Sequence, residues 1–274
     1  MKTGEIGKVH MNRCKEGWLA SVTALTLGIC LSTASALDVN HTKSESDSPF
    51  EFFKSGISAY KNGDKGQAVK ALKYAADMGH PGANWKLARM YADGDGVAEN
   101  DYAAYKFYVR IVQEGADPGS EDESYLSDAL VEIADYLVTG IPNSPVKQDM
   151  PQARSLYLQA ATNFGNPEAQ YRLGKMLLNG DGGEKNPVQA ARWFQLSARK
   201  GNPAAQAMLG NMLFQAGKTV RGLAMMTAAY EKAGPHDQIW IRQLQERAFA
   251  VSGEADRRTA ISLASDIVRN DNGF

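Results

Sequence analysis

The chain has 274 residues, 43% of them hydrophobic and 22% charged, and its 30 Lys and Arg against 31 Asp and Glu leave a formal net charge of −1. That balance excludes a disordered or collagen-like chain and a strongly basic nucleic-acid binder. The length suits one large domain or two ordinary ones.

The first 36 residues stand apart. Lys2, Lys8, Arg13 and Lys15 precede an uncharged stretch from Gly17 to Leu31, which is followed by Ala34-Ser35-Ala36. This is the pattern of a secretory signal peptide cleaved after Ala36. Its apolar segment is about 15 residues, short of the roughly 20 a membrane span needs; an uncleaved anchor is the alternative. Met11 with the basic residues after it makes a compact leader on its own, so either Met1 or Met11 serves as the start. Cys30 hints at lipoprotein processing, but the bulky Ile29 before it argues against that.

Cleavage removes four cations and two carboxylates, which leaves a mature chain with a net charge near −3. Mild acidity gives no electrostatic reason to bind nucleic acid or an anionic membrane. Both cysteines, Cys14 and Cys30, leave with the leader. Disulfides, thiolate catalysis and cysteine metal sites are excluded together.

Residues 37–48, rich in Ser, Asp and Lys, read as a flexible tail. From Phe52, "FFKSGISAYKNGDKGQAVKALKYAADMG" has the order helix, Gly63-Asp64 turn, helix. Beyond it the chain repeats itself. "FGNPEAQYRLGKMLLNG" from Phe164 returns 36 residues later as "KGNPAAQAMLGNMLFQA" from Lys200, and "MGHPGANWKLARMYADG" from Met78 matches at a shift of 86, two periods plus 14 inserted residues. A 36-residue period is that of a paired-helix solenoid.

In this register Ala83, Ala129, Ala169 and Ala205 coincide, as do Leu87, Ile133, Leu173 and Leu209, and Ala88, Ala134, Gly174 and Gly210. Small residues flanking an apolar one describe a helix face that admits a second helix closely. Phe107, Tyr157 and Trp193, each eight residues before a repeat glycine, are the expected bulky knobs of that second helix. Gly79, Gly165 and Gly201 end second helices, and each is followed by His or Asn and then Pro: His80-Pro81, Asn166-Pro167, Asn202-Pro203. A glycine stop, a cap and a proline at the first helical position join one helix to the next.

"YADGDGVAEN", residues 91–100, gathers Asp93, Asp95 and Glu99 around two glycines and raises the question of a metal or phosphate site. Gly94 matches Gly180, and Asn100 matches Asn186, which makes the stretch the turn inside the repeat, with each Asn capping the second helix. Val97 and Ala104 stand where a calcium loop needs ligands, and no Lys-Ser/Thr pair follows the glycines. Its carboxylates are expected to be solvated.

Two segments break the period. "GADPGSEDESY", 115–125, carries the larger insertion, with Asp117, Glu121, Asp122, Glu123 and Tyr125; insertions in solenoids map to one face and often serve binding. A partner contact and a solvated surface loop are the two readings of it. Neighbouring carboxylates there permit a pH response. "IPNSPV", 141–146, is a rigid contact or an exposed protease site. After Gly234 the repeat stops, and helices over 238–250 and 254–268, the second capped by Ser252, look like a terminal cap within 235–274.

The unit "AQYRLGKMLLNGDGGEKNPVQAARWFQLSARKGNPAAQ", 169–206, resembles Sel1-like repeats, a subclass of tetratricopeptide-like hairpins. The whole chain goes further: "FKSGISAYKNGDK", "YAADMGHPGANWKLARMYADGDGVAEND", "GADPGSEDESY", "TGIPNSPV" and "GEADRRTAIS", in this order behind an exported leader, are similar to the ExoR family of alphaproteobacteria. The resemblance implies an all-α solenoid over 49–234 and a periplasmic, non-enzymatic inhibitor. Such an inhibitor binds the sensor region of a membrane histidine kinase and so represses exopolysaccharide production.

The residues agree with a binding protein. His41, His80 and His236 are dispersed, and no H-E-x-x-H, G-x-S-x-G or G-x-G-x-x-G motif occurs, so no catalytic site, metal site, cofactor or small-molecule substrate is expected. The alternative is a periplasmic scaffold of a polysaccharide export or envelope assembly; lack of a lipoprotein site favours the inhibitor.

Overall fold

A computed structural model describes residues 48–269, which form twelve helices and no strand. The leader and residues 37–47 of the tail lie outside the described residues, as do 270–274; Ser48, expected in the tail, caps the first helix through its side chain. The helices are α1 (Pro49–Lys61), α2 (Lys65–Asp77), α3 (Pro81–Asp93), α4 (Asp101–Glu114), α5 (Asp122–Thr139), α6 (Met150–Asn163), α7 (Pro167–Asn179), α8 (Pro187–Arg199), α9 (Pro203–Gln215), α10 (Thr219–Lys232), α11 (Pro235–Ala250) and α12 (Glu254–Arg269). Each of α1 to α10 packs on its neighbours in the chain, and α3 also touches α5. The result is an α-solenoid of helical hairpins.

Local chemistry sets the helix ends. Proline opens α3, α7, α8 and α9, where the missing N–H costs no intrahelical bond. The Oδ1 atoms of Asn100, Asn166, Asn186 and Asn202 accept from the backbone N–H three residues on, at 2.8–3.0 Å. Gly79, Gly165 and Gly201 follow α2, α6 and α8. Gly94 and Gly180 end α3 and α7 in the left-handed conformation, at φ 65° and 91°, which disfavours any residue with a Cβ. His80 holds the cap position of α3 but makes no capping bond; its ring lies against Phe53, with centroids 4.3 Å apart.

The core repeats one contact. Eight residues after the N-caps Asp64, Asn100, Asp149, Asn186 and Lys218 stand Leu72, Tyr108, Tyr157, Phe194 and Met226, all fully buried. Three of these face a glycine on the first helix of the same hairpin. A Cβ on Gly56 would lie 2.7 Å from Leu72, one on Gly174 2.6 Å from Phe194, and one on Gly210 3.0 Å from Met226. This corrects the expected knobs: Tyr157 is buried, but Phe107 and Trp193 are half-buried beside the true knobs Tyr108 and Phe194. Between its cap and its glycine α6 has one residue more than α4 or α8, so counting back from the glycine finds the knob only in α6.

α11 and α12 depart from the hairpin rule, since both lie against α10, and α11 also touches α9. Leu223, Ala224 and Ala228 of α10 pack in one cluster with Ala248 of α11 and with Ala260, Ala264 and Ile267 of α12. Ser252 is not the cap of α12. Its hydroxyl donates back to the Ala248 carbonyl at 2.7 Å, and α12 starts after Gly253. "IPNSPV" is a closed turn: Ile141 N–H donates to Val146 O at 3.0 Å, both side chains are buried, and Pro142, Asn143 and Pro145 are exposed between them.

Candidate functional site: the acidic insertion and its neighbours

The acidic turn at 91–100 is a structural tie. Asp95 accepts hydrogen bonds from the Tyr60 hydroxyl and the Lys65 ammonium, which joins it to the α1–α2 hairpin, and the Lys86 ammonium lies 3.4 Å over the Tyr60 ring. The bonds from Lys65 and Tyr60 hold the Asp95 carboxyl below the usual carboxylate range. The expected solvated carboxylates are therefore corrected for Asp95, whose partners are 30 and 35 residues away in the chain. Asp93 is exposed and sits 3.9 Å from Arg89. Among the described residues no group of three or more His, Cys, Asp or Glu is placed to hold a metal.

The insertion is part loop and part helix. α5 starts at Asp122, five residues ahead of the point where the repeat begins its first helix. Asp122 and Glu123 in the first turn complement the positive end of the helix. Glu121 stands in the cap position with helical backbone and no capping bond, while Glu123 Oε1 accepts from Gly119 N at 3.0 Å and fixes the loop. Asp117 is exposed on the loop.

Tyr125 turns back onto the preceding hairpin. Its ring lies 5.8 Å from that of Trp85, and its hydroxyl is 3.0 Å from where a Cβ on Gly82 would stand. Gly82 is small because Tyr125 and Phe53 fill that space. Glu121, Asp122 and Tyr125 thereby converge with Phe50, Phe53 and His80 on a cavity of about 370 Å³, with aromatic walls and an acidic rim. Burial pushes the Tyr125 phenol up and the His80 imidazole down, the Asp122 charge opposing the latter. Phe50 is largely exposed. Glu123 faces a different hollow, of about 490 Å³, shared with Asp128, Asn166 and Lys200.

A second polar feature escapes any reading of the insertion as a loop alone. Asp128, Glu132 and Asp135 follow one another along α5 at helical spacing, between Arg89 of α3 and Arg172 of α7. Arg172 lies 2.7 Å from Glu168 and 3.7 Å from Asp135, and Asp135 also accepts from the Tyr157 hydroxyl. Asn166 Nδ2 donates to Ser127 at 3.0 Å and to Asp128 at 3.4 Å. Burial pushes the carboxyls of Asp128 and Glu132 up. The signal is present in "SDALVEIAD": charged residues spaced four and three apart on a helix whose other face is apolar.

Helical hairpins with capped, 36-residue units define a Sel1-repeat protein, and the Sel1 repeat family matches residues 81–115, 127–163, 167–202 and 203–224. Residues 116–126, a stretch that takes in most of the "GADPGSEDESY" segment, fall between the first two matches. Two solved structures share the fold: c5321, a protective antigen of uropathogenic Escherichia coli with an SLR fold (TM-score 0.67, 21% identity, 83% of this chain and 47% of that chain), and a Sel1 repeat protein from Oxalobacter formigenes (TM-score 0.58, 22% identity, 80% and 88%). The chain is 48% identical over 85% of its length to an exopolysaccharide production negative regulator of Rhizobium leguminosarum bv. viciae, covering 87% of it. It is 45% identical over 94% to the regulator of the same name from Rhizobium meliloti (strain 1021), covering 99% of it. The chain belongs to this family of exopolysaccharide production negative regulators, the ExoR family.

Proposed function

We propose that this chain is an exported, periplasmic, non-enzymatic inhibitor that binds the periplasmic domain of a membrane sensor histidine kinase and so represses exopolysaccharide production. The observation that carries it is the cavity at the insertion. Residues outside the repeat bring two acidic residues, Glu121 and Asp122, to the cavity that Phe50, Phe53 and Tyr125 also line. Aromatic faces beside carboxylates recognise a cationic side chain, by ring quadrupole and by ion pair. The partner's contribution is accordingly a Lys or Arg anchor. Export rests on the leader at residues 1–36, outside the described residues, and the regulatory outcome rests on the relatives' names.

The test is deletion of the gene together with a binding assay between purified chain and kinase domain. Raised exopolysaccharide output and direct binding are expected. Unchanged output in the deletion strain contradicts the proposal, and capture of export-machine components in place of the kinase favours the scaffold.

A further inference from the structure

α8, α9 and α10 enclose an apolar groove of about 500 Å³ that the repeat packing leaves open. Leu209, Met212 and Leu213 of α9 and Met225 of α10 line it, and Val188 of α8, 67% exposed, stands at its edge. An exposed β-branched residue directly after the helix-opening proline does nothing for the hairpin contact, which Phe194 makes on the buried side of α8.

The charges around the groove have one sign. From Lys185 to Tyr230 the sequence contains no Asp or Glu but six cations, in a chain whose remaining residues carry more carboxylates than cations. Two of them, Arg192 and Arg221, line the groove, and no carboxylate among the described residues pairs with either. Guanidinium groups left free at an apolar edge hold out bidentate donors to carboxylates. The chain's own uncharged segment, Gly17 to Leu31, does not fit this requirement, since it has no carboxylate to offer.

We propose that the groove is a docking site for an amphipathic helix of a partner protein, its apolar face seated on Leu209, Met212 and Leu213 and its flanking carboxylates paired with Arg192 and Arg221. This adds a second contact of opposite charge preference to the acidic cavity and rests on the protein-binding reading above.

The probe is a fluorescein-labelled amphipathic peptide of about 18 residues, with Leu on one face and Glu on both flanks, against a version with Lys for Glu. The purified chain should bind the Glu peptide at least about ten-fold more tightly than the Lys peptide. Val188→Asp, at an exposed site that leaves helicity intact, should lose that binding by a similar factor, and Arg192→Glu with Arg221→Glu should reverse the preference. Equal binding of both peptides, or unchanged binding by Val188→Asp, overturns the proposal. Self-association or binding to anionic vesicles that Val188→Asp abolishes, without peptide binding, assigns the groove to a second copy or a lipid surface and also overturns it. A kinase domain that fails to bind while the Glu peptide binds contradicts the proposed function and keeps the groove; the converse contradicts the groove alone.

Discussion

The Phe194 ring lies 2.6 Å from the point where a Cβ on Gly174 would stand, so the two helices of this hairpin cross at a contact only glycine permits. Gly174→Ala should therefore force the ring off its rotamer and cost about 1–3 kcal/mol. Ala88 and Ala134 hold the same register position with a methyl group, fully buried, in hairpins whose knobs are Tyr108 and Tyr157. Denaturant unfolding followed by circular dichroism checks the cost.

The capping asparagines each do two things. Asn166 Oδ1 caps α7 while its Nδ2 reaches Ser127 and Asp128; Asn202 Oδ1 caps α9 while its Nδ2 reaches Glu168 at 3.1 Å. Asn166→Ala should lose a cap and a tie between repeats, about 1–2 kcal/mol together. Asn166→Asp keeps the cap but sets a second carboxylate against Asp128, so its stability should fall below wild type at neutral pH and recover as pH drops. Thermal melts at several pH values separate the two.

Caps like these are legible in sequence because donor and acceptor lie three residues apart, and the period is legible because every unit repeats them. Contacts between units are not. Asp95 reads as free beside two glycines because Tyr60 and Lys65 stand in another hairpin. Phe107 and Trp193 read as knobs because glycine-to-knob spacing is not constant, whereas cap-to-knob spacing is. The insertion is legible as a break in the period, but the cavity it builds is not, since Phe50, Phe53 and His80 lie far back in the chain.

Two carboxylates should show opposite pH signatures. Burial raises Glu132, with Asp135 and Asp128 adding to it and Arg89 and Arg172 opposing. Between the unfolded and the raised folded value the native state holds a proton the unfolded chain has released, so this group's contribution falls as pH rises. Glu132→Gln should accordingly gain stability over wild type as pH rises through that window. Asp95 is held below its ordinary range, so its contribution is present above that range and lost as pH falls through the depressed value. Asp95→Asn should be less stable than wild type at neutral pH, and the gap should close in acid. Chemical denaturation of both variants and wild type across a pH series checks the two signs.

Glu123 and the pair Glu121 and Asp122 should separate in function. Glu123→Gln weakens the bond to Gly119 and should loosen the loop, raising amide exchange at Gly119 without changing the charge of the cavity rim. Glu121→Lys with Asp122→Lys inverts the rim while leaving the aromatic walls in place.

That pair supplies the most direct measurement. The affinity of the purified chain for the periplasmic domain of the sensor kinase should fall at least about ten-fold in Glu121→Lys with Asp122→Lys, about 1.4 kcal/mol, with helicity unchanged. Equal affinity of the variant and the wild type, or no binding by either, would contradict the assignment of the insertion as the partner contact.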